Sequence, residues 1–165
     1  CMSFVSQNFG MGKIKRIKKA VGESILLTFI FTFSIGMIFA LLSGPLSSII
    51  IDSPEAIAHA KERLWLLAPT YCLCGFMEVL AYSMRALGKS VTAMVVSLAG
   101  SVLLRIIWLK TVFFLNPTYE MVLYSYPITW VITVAMHLCF LIPTIKKIER
   151  KLKTEKESLN ECQNT

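Results

Sequence analysis

Three ionisable side chains stand in stretches of the sequence that are otherwise apolar. Glu78 interrupts the run Leu64 to Met84, Arg105 interrupts Ser90 to Leu109, and His137 lies within Met121 to Ile145. A carboxylate in an apolar helix is costly to keep charged, so Glu78 must face a cavity, find a partner or give up its charge. The chemistry open to it is protonation or cation binding along a transport path. The structural alternative is an interhelical hydrogen bond near a gate. His137 titrates near neutrality and could relay a proton, or it serves as a neutral hydrogen-bonding group. Arg105 either snorkels outward with Lys110 or offers a fixed charge to a cavity. Tyr71, Trp108, Tyr124, Tyr126 and Trp130 fit an aromatic belt at a membrane interface, although a cavity for flat cations would use the same side chains. No catalytic residue is expected. Cys72 and Cys74 diverge on a helix and lack the further ligands of a metal site, so they read as apolar packing and no metal is expected. No phosphate-binding loop, HExxH or serine-nucleophile motif is present.

These residues need elements to carry them, and the composition says which. The 165 residues are 55% hydrophobic and only 16% charged, which fits neither a water-soluble globule nor a disordered chain. The chain reads as an all-α, polytopic membrane protein. A spanning helix takes about 20 apolar residues, and four stretches qualify, placed at 20–43, 64–86, 90–113 and 121–145. Glu78 then lies about two turns, roughly 10 Å, from Arg85, and Arg105 about 22 Å along its span from Ser90. That puts the two at different depths and speaks against an ion pair.

Charge orients the spans. Lys13, Lys15, Arg16, Lys18 and Lys19 precede the first, Arg85 and Lys89 separate the second from the third, and Lys146, Lys147, Arg150, Lys151, Lys153 and Lys156 follow the fourth, so 13 of the 17 basic residues fall on one side. By the positive-inside rule both termini are cytoplasmic. Residues 1–19 then form a cytoplasmic basic loop, 87–89 a cytoplasmic turn and 146–165 a cytoplasmic basic tail, with external loops at 44–63 and 114–120. The formal charge of +7 is accounted for by topology, and no nucleic-acid partner is expected. Gly44-Pro45 reads as the end of the first span, and Ser53-Pro54-Glu55 as the cap and first turn of an external helix that runs on into the second, with a bend at Pro69. Asn116-Pro117 signals a turn. In the tail, Ile148, Leu152 and Leu159 share one face of a short helix along the inner leaflet that frays by Asn160.

Two motifs carry a resemblance. Gln7-Asn8-Phe9-Gly10-Met11-Gly12-Lys13 resembles the Gln-Asn-x-Gly-Ala-Gly loop of multidrug and toxic compound extrusion (MATE) transporters, and Arg85-Ala86-Leu87-Gly88 resembles the family's Leu-Arg-Gly-x-Gly stretch. Ser97-Leu98-Ala99-Gly100 before Arg105 is similar to its eleventh helix. Met11 stands where the family usually has Ala, and Ala86 where it often has Gly, which implies somewhat more crowded turns. The resemblance implies the end of helix 8 through helix 12 of a twelve-helix, two-lobed transporter in the cell membrane, four helices forming most of the C-terminal lobe. It implies antiport of amphipathic, often cationic compounds against Na⁺ or H⁺, without a cofactor. The implied partners are the lipid bilayer, the missing N-terminal portion of the same transporter and small amphipathic substrates. The isolated chain is not expected to transport. A flippase for lipid-linked polysaccharide, a dimerising four-helix transporter and a non-transporting scaffold subunit are the rival readings; an enzyme ranks last.

Overall fold

In the computed structural model, residues 1–115 and 117–163 are described, with the side chains of 155, 156 and 159–163 excepted. Every regular element among them is helical: α1 (Met2–Gly10), α2 (Ile14–Leu41), α3 (Ser43–Ile50), α4 (Pro54–Ala86), α5 (Ser90–Leu98), a π turn (Ala99–Leu103), α6 (Leu104–Leu115) and α7 (Tyr119–Gln163). Four helical stretches are long and apolar enough to cross a membrane: Ile14–Leu41, Pro54–Ala86, Ser90–Leu115 and Tyr119–Thr154.

The boundaries differ from the sequence reading for local reasons. Residues 1–19 are not a loop, since α1 occupies most of them and α2 starts among the basic residues, leaving only a tight turn at Gly12. Gly44-Pro45 does not terminate an element. It lies in the first turn of α3, where Pro has no intrahelical partner to forgo. Ser53, Pro54 and Glu55 do open α4, although the Ser53 hydroxyl makes no cap bond, and α4 continues through Pro69. The tail does not form a separate surface helix. It continues α7, and Ile148 and Leu152 pack against the core beside Gly12 instead of facing lipid. Asn116, and the side chains of Leu159 and Asn160, lie outside the described residues.

Packing explains the arrangement of the long helices. At the basic end, Val5, Ile14, Ile17, Leu80, Met84, Ala93 and Leu141 close one core that joins α1, α2, α4, α5 and α7. Further along, backbones approach closely where side chains are small. A Cβ at Gly36 would lie 2.6 Å from the carbonyl oxygen of Ala68, and one at Gly75 would overlap Thr28, so α2 and α4 cross in near contact. A Cβ at Gly100 would overlap Thr133, which brings the π turn against α7 in the same way. Small-residue contacts of this kind are how helices pack where lipid tails remove the hydrophobic drive between them. Much of the outer surface stays apolar and exposed, notably Leu26, Ile30, Phe31 and Ile38 on α2.

Candidate functional site

Because α4 turns its small and apolar positions toward α2 and α7, the strip of its surface between them is left to the polar residues. Tyr71, Cys74, Glu78, Tyr82 and Arg85 recur at three- and four-residue spacing and so form one stripe along the helix. Tyr71, Glu78 and Tyr82 are exposed, and Cys74 and Arg85 half-buried. Glu78 makes no hydrogen bond or ion pair among the described residues. The Arg85 guanidinium lies 5.0 Å from the centre of the Tyr82 ring, a cation–π distance that ties down the basic end of the stripe. A carboxylate at mid-helix therefore points away from the packing partners that this chain supplies.

The far half of the stripe meets an aromatic row. The Tyr71 ring is 5.4 Å from Trp130 of α7, Trp130 is 6.0 Å from Tyr126, and the Arg105 guanidinium lies over Tyr126 at 4.1 Å. Trp130 is only 6% exposed, so it is a packing element between α4 and α7 and not part of an interfacial belt. Arg105 does not snorkel toward Lys110: its head is drawn to Tyr126, and its Nε is buried without a hydrogen-bond partner among the described residues. Cys74 lies within electrostatic range of both Glu78 and Arg105. The two charges that looked unrelated by depth thus border one wall, with Cys74 and the aromatic row between them. Trp108 is engaged elsewhere, donating its Nε1–H to the Met121 carbonyl at 2.9 Å to close the α6–α7 turn.

His137 belongs to a different place. It is fully buried between α5 and α7, with Nδ1 2.9 Å from the Thr133 carbonyl and Nε2 3.3 Å from the Ser97 hydroxyl. A carbonyl can only accept, so Nδ1 carries a proton, and in the neutral ring Nε2 accepts from Ser97. Ser125, Thr129 and Thr133 continue the line at four-residue spacing, all buried, each returning its hydroxyl to a carbonyl three or four residues earlier. The sequence reading passed over this ladder, although Ser125, Thr129, Thr133 and His137 at a strict spacing of four were visible in it. No group of three or more potential metal ligands is found among the described residues.

The two motif loops are one device used twice. After α1 the Lys13 N–H bonds the Asn8 carbonyl and the Gly12 N–H bonds that of Phe9; after α4 the Lys89 N–H bonds the Met84 carbonyl and the Gly88 N–H bonds that of Arg85. Each is a Schellman stop with its glycine in the left-handed region, Gly12 at φ 66° and Gly88 at φ 77°. The positions that matter are therefore Gly12 and Gly88. Met11 adopts ordinary right-handed backbone at φ −85°, and Ala86 is still within α4, so neither crowds its turn. Gln7 and Gly10 are exposed, and nothing lies near Gly10. Asn8 is buried, donates to the Phe4 carbonyl at 2.8 Å and leaves its Oδ1 without a partner among the described residues.

Comparison with known proteins gives a consistent answer. The MatE family model matches residues 1–109. A protein named FAD transporter from Shewanella oneidensis is 25% identical over 103 residues, which are 62% of this chain and 23% of that protein. The chain thus matches about a quarter of that relative's length. No solved structure matches the chain at a significant level.

Proposed function

The chain belongs to the MatE family, and we propose that it forms four helices of the C-terminal lobe of a twelve-helix antiporter that exports amphipathic, often cationic compounds in exchange for Na⁺ or H⁺. The observation that carries this reading is the stripe on α4. Glu78 sits at mid-span on a face that the chain's own helices leave open, beside Cys74 and between Tyr71 and Tyr82. A second lobe placed against that face would enclose a wall bearing a carboxylate and the Tyr71–Trp130–Tyr126 row.

In this reading Glu78 is the coupling group. Charged, it holds the inward-moving cation or the substrate's positive charge; protonated, it releases that charge and lowers the cost of lying in the hydrocarbon layer. Tyr71 and the half-buried Tyr126 supply flat contact surface, with Trp130 buried between them as their backing. His137 is a structural group here, since its two ring nitrogens are already taken up between α5 and α7. In the same reading both termini are cytoplasmic and the Schellman turns lie at the inner face of the cell membrane, an orientation supported by the positive-inside distribution of Lys and Arg.

The test is Glu78→Gln in the complete transporter, with efflux measured as a function of pH and Na⁺. The variant is expected to lose most of its export and the remaining ion dependence together; unchanged export with unchanged pH and Na⁺ dependence would sink the proposal. A second substrate class is favoured by one observation, the Arg105 cation at the end of the aromatic row. An anionic flat molecule, as the name of the Shewanella relative suggests, would use Arg105 where a cationic drug would use Glu78. Export of a flavin and of a flat cationic dye by the same cells separates the two.

A further inference from the structure

At the basic end of the bundle, the last turn of α1, the turn after α4 and the last apolar turn of α7 surround a cleft of about 230 Å³. Its lining is mainly apolar, Phe9, Leu87 and Ile148 being joined there by the side chains of Lys89, Lys147 and Lys151. We propose that this cleft binds the headgroup of an anionic phospholipid, with the phosphate held by the three lysines and the glycerol backbone resting on the apolar lining.

Three features argue for that occupant. The first is uncompensated charge. Between residues 146 and 153 of α7 the one carboxylate is Glu149, and it is bonded to Lys18 at 2.7 Å. Residues 147 and 149 are about 200° apart around a helix, so that pair draws Glu149 to another side, away from the cleft. Lys89, Lys147 and Lys151 have no ion-pair partner among the described residues. The second is depth. Lys89 immediately precedes the apolar helix α5, and Lys147 follows the last apolar turn of α7, so the cleft spans the boundary between hydrocarbon and headgroups. Phe140 lies seven residues before Lys147 on the same face of α7 and is exposed, giving an acyl chain a surface to follow into the membrane. The third is size. Drug-sized ligands take pockets of about 300–1,000 Å³, more than this cleft offers, whereas basic pockets at the ends of membrane helices suit anionic lipid headgroups.

The full chain, purified in a neutral detergent and stripped of lipid, is titrated with phosphatidylglycerol and with phosphatidylcholine, and bound lipid is read by native mass spectrometry. The cleft variant Lys89→Gln/Lys147→Gln/Lys151→Gln is compared with Lys13→Gln/Lys15→Gln/Lys153→Gln, which loses the same charge outside the cleft. At about fivefold per lysine near a charged headgroup, the cleft variant should bind phosphatidylglycerol on the order of a hundredfold more weakly. The second variant should lose no more than about threefold, the size expected of screened long-range charge. Lys→Arg replacements at the three cleft positions should retain binding, which separates loss of charge from loss of fold. Equal losses in both glutamine variants, equal binding of phosphatidylcholine by the unaltered chain, or displacement of phosphatidylglycerol by inorganic phosphate would each overturn the proposal.

Discussion

Gly100→Ala tests the contact that fixes the π turn and α7 side by side. A Cβ at Gly100 would overlap the Thr133 Oγ1 and come within 2.6 Å of its Cγ2 and 2.8 Å of its Cβ. Thr133 has no room to turn, being fully buried and donating its hydroxyl to the Thr129 carbonyl at 2.6 Å. Alanine favours a helix over glycine by about 1 kcal/mol, but overpacking a tight site costs about 1–3 kcal/mol. Three sub-van-der-Waals contacts against an immobile side chain belong at the upper end. The net expectation is a destabilisation of about 1–2 kcal/mol. Thr133→Ala removes two of the three obstructing atoms but keeps the Cβ at 2.8 Å, so in that background Gly100→Ala should cost less without becoming neutral. The coupling between the two changes is then about 1 kcal/mol. The assay is equilibrium unfolding of the four proteins of this cycle in mixed micelles of increasing SDS fraction, followed by far-ultraviolet circular dichroism. Additivity within about 0.5 kcal/mol would refute the claim that the π turn and α7 meet through this pair.

Two further outcomes follow from the backbone and from one side-chain bond. Gly12→Ala and Gly88→Ala should each cost about 1–2 kcal/mol, because both force a Cβ into left-handed backbone, whereas Gly10→Ala, at a helical position with nothing nearby, should be neutral or stabilising by up to about 1 kcal/mol; thermal melts of the three variants give the order directly, and equal effects at 10 and 12 would contradict it. Trp108→Phe removes the indole donor to the Met121 carbonyl and should destabilise the α6–α7 turn by about 1 kcal/mol, seen as faster amide exchange confined to that turn.

The four spans were legible because hydropathy over about 20 residues is decided by composition alone. Rotation about each helix axis was not. Depth along a span places Trp130 near Tyr126 and in the outer half, as a belt residue would be, yet it is the crossing of α4 and α7 that buries one face and turns Trp130 inward. The same limit hid the relation of Arg105 to Glu78: Glu78 is one turn from Cys74 on α4, and only the packing brings Arg105 of α6 within range of the same residue. The π turn was also unreadable, since Ala99 to Leu103 carry no residue that forbids an ordinary helix; the close approach of Gly100 to Thr133 becomes visible only once α7 is beside it. The glycine motifs, by contrast, were found by resemblance and explained by geometry, because left-handed backbone leaves few choices of residue.

The open face of α4 also bears on how such a lobe is put together. A carboxylate at mid-helix with no hydrogen-bond or ion-pair partner among the described residues is tolerable only when something polar covers it. A bundle inserted without its complement must neutralise Glu78 or draw water and headgroups inward. Either way it is held less firmly in the bilayer than a bundle whose α4 face is covered. The stripe from Tyr71 to Arg85 is therefore a cost of placing this bundle in lipid as well as a wall, and any polar surface that covers it would lower that cost.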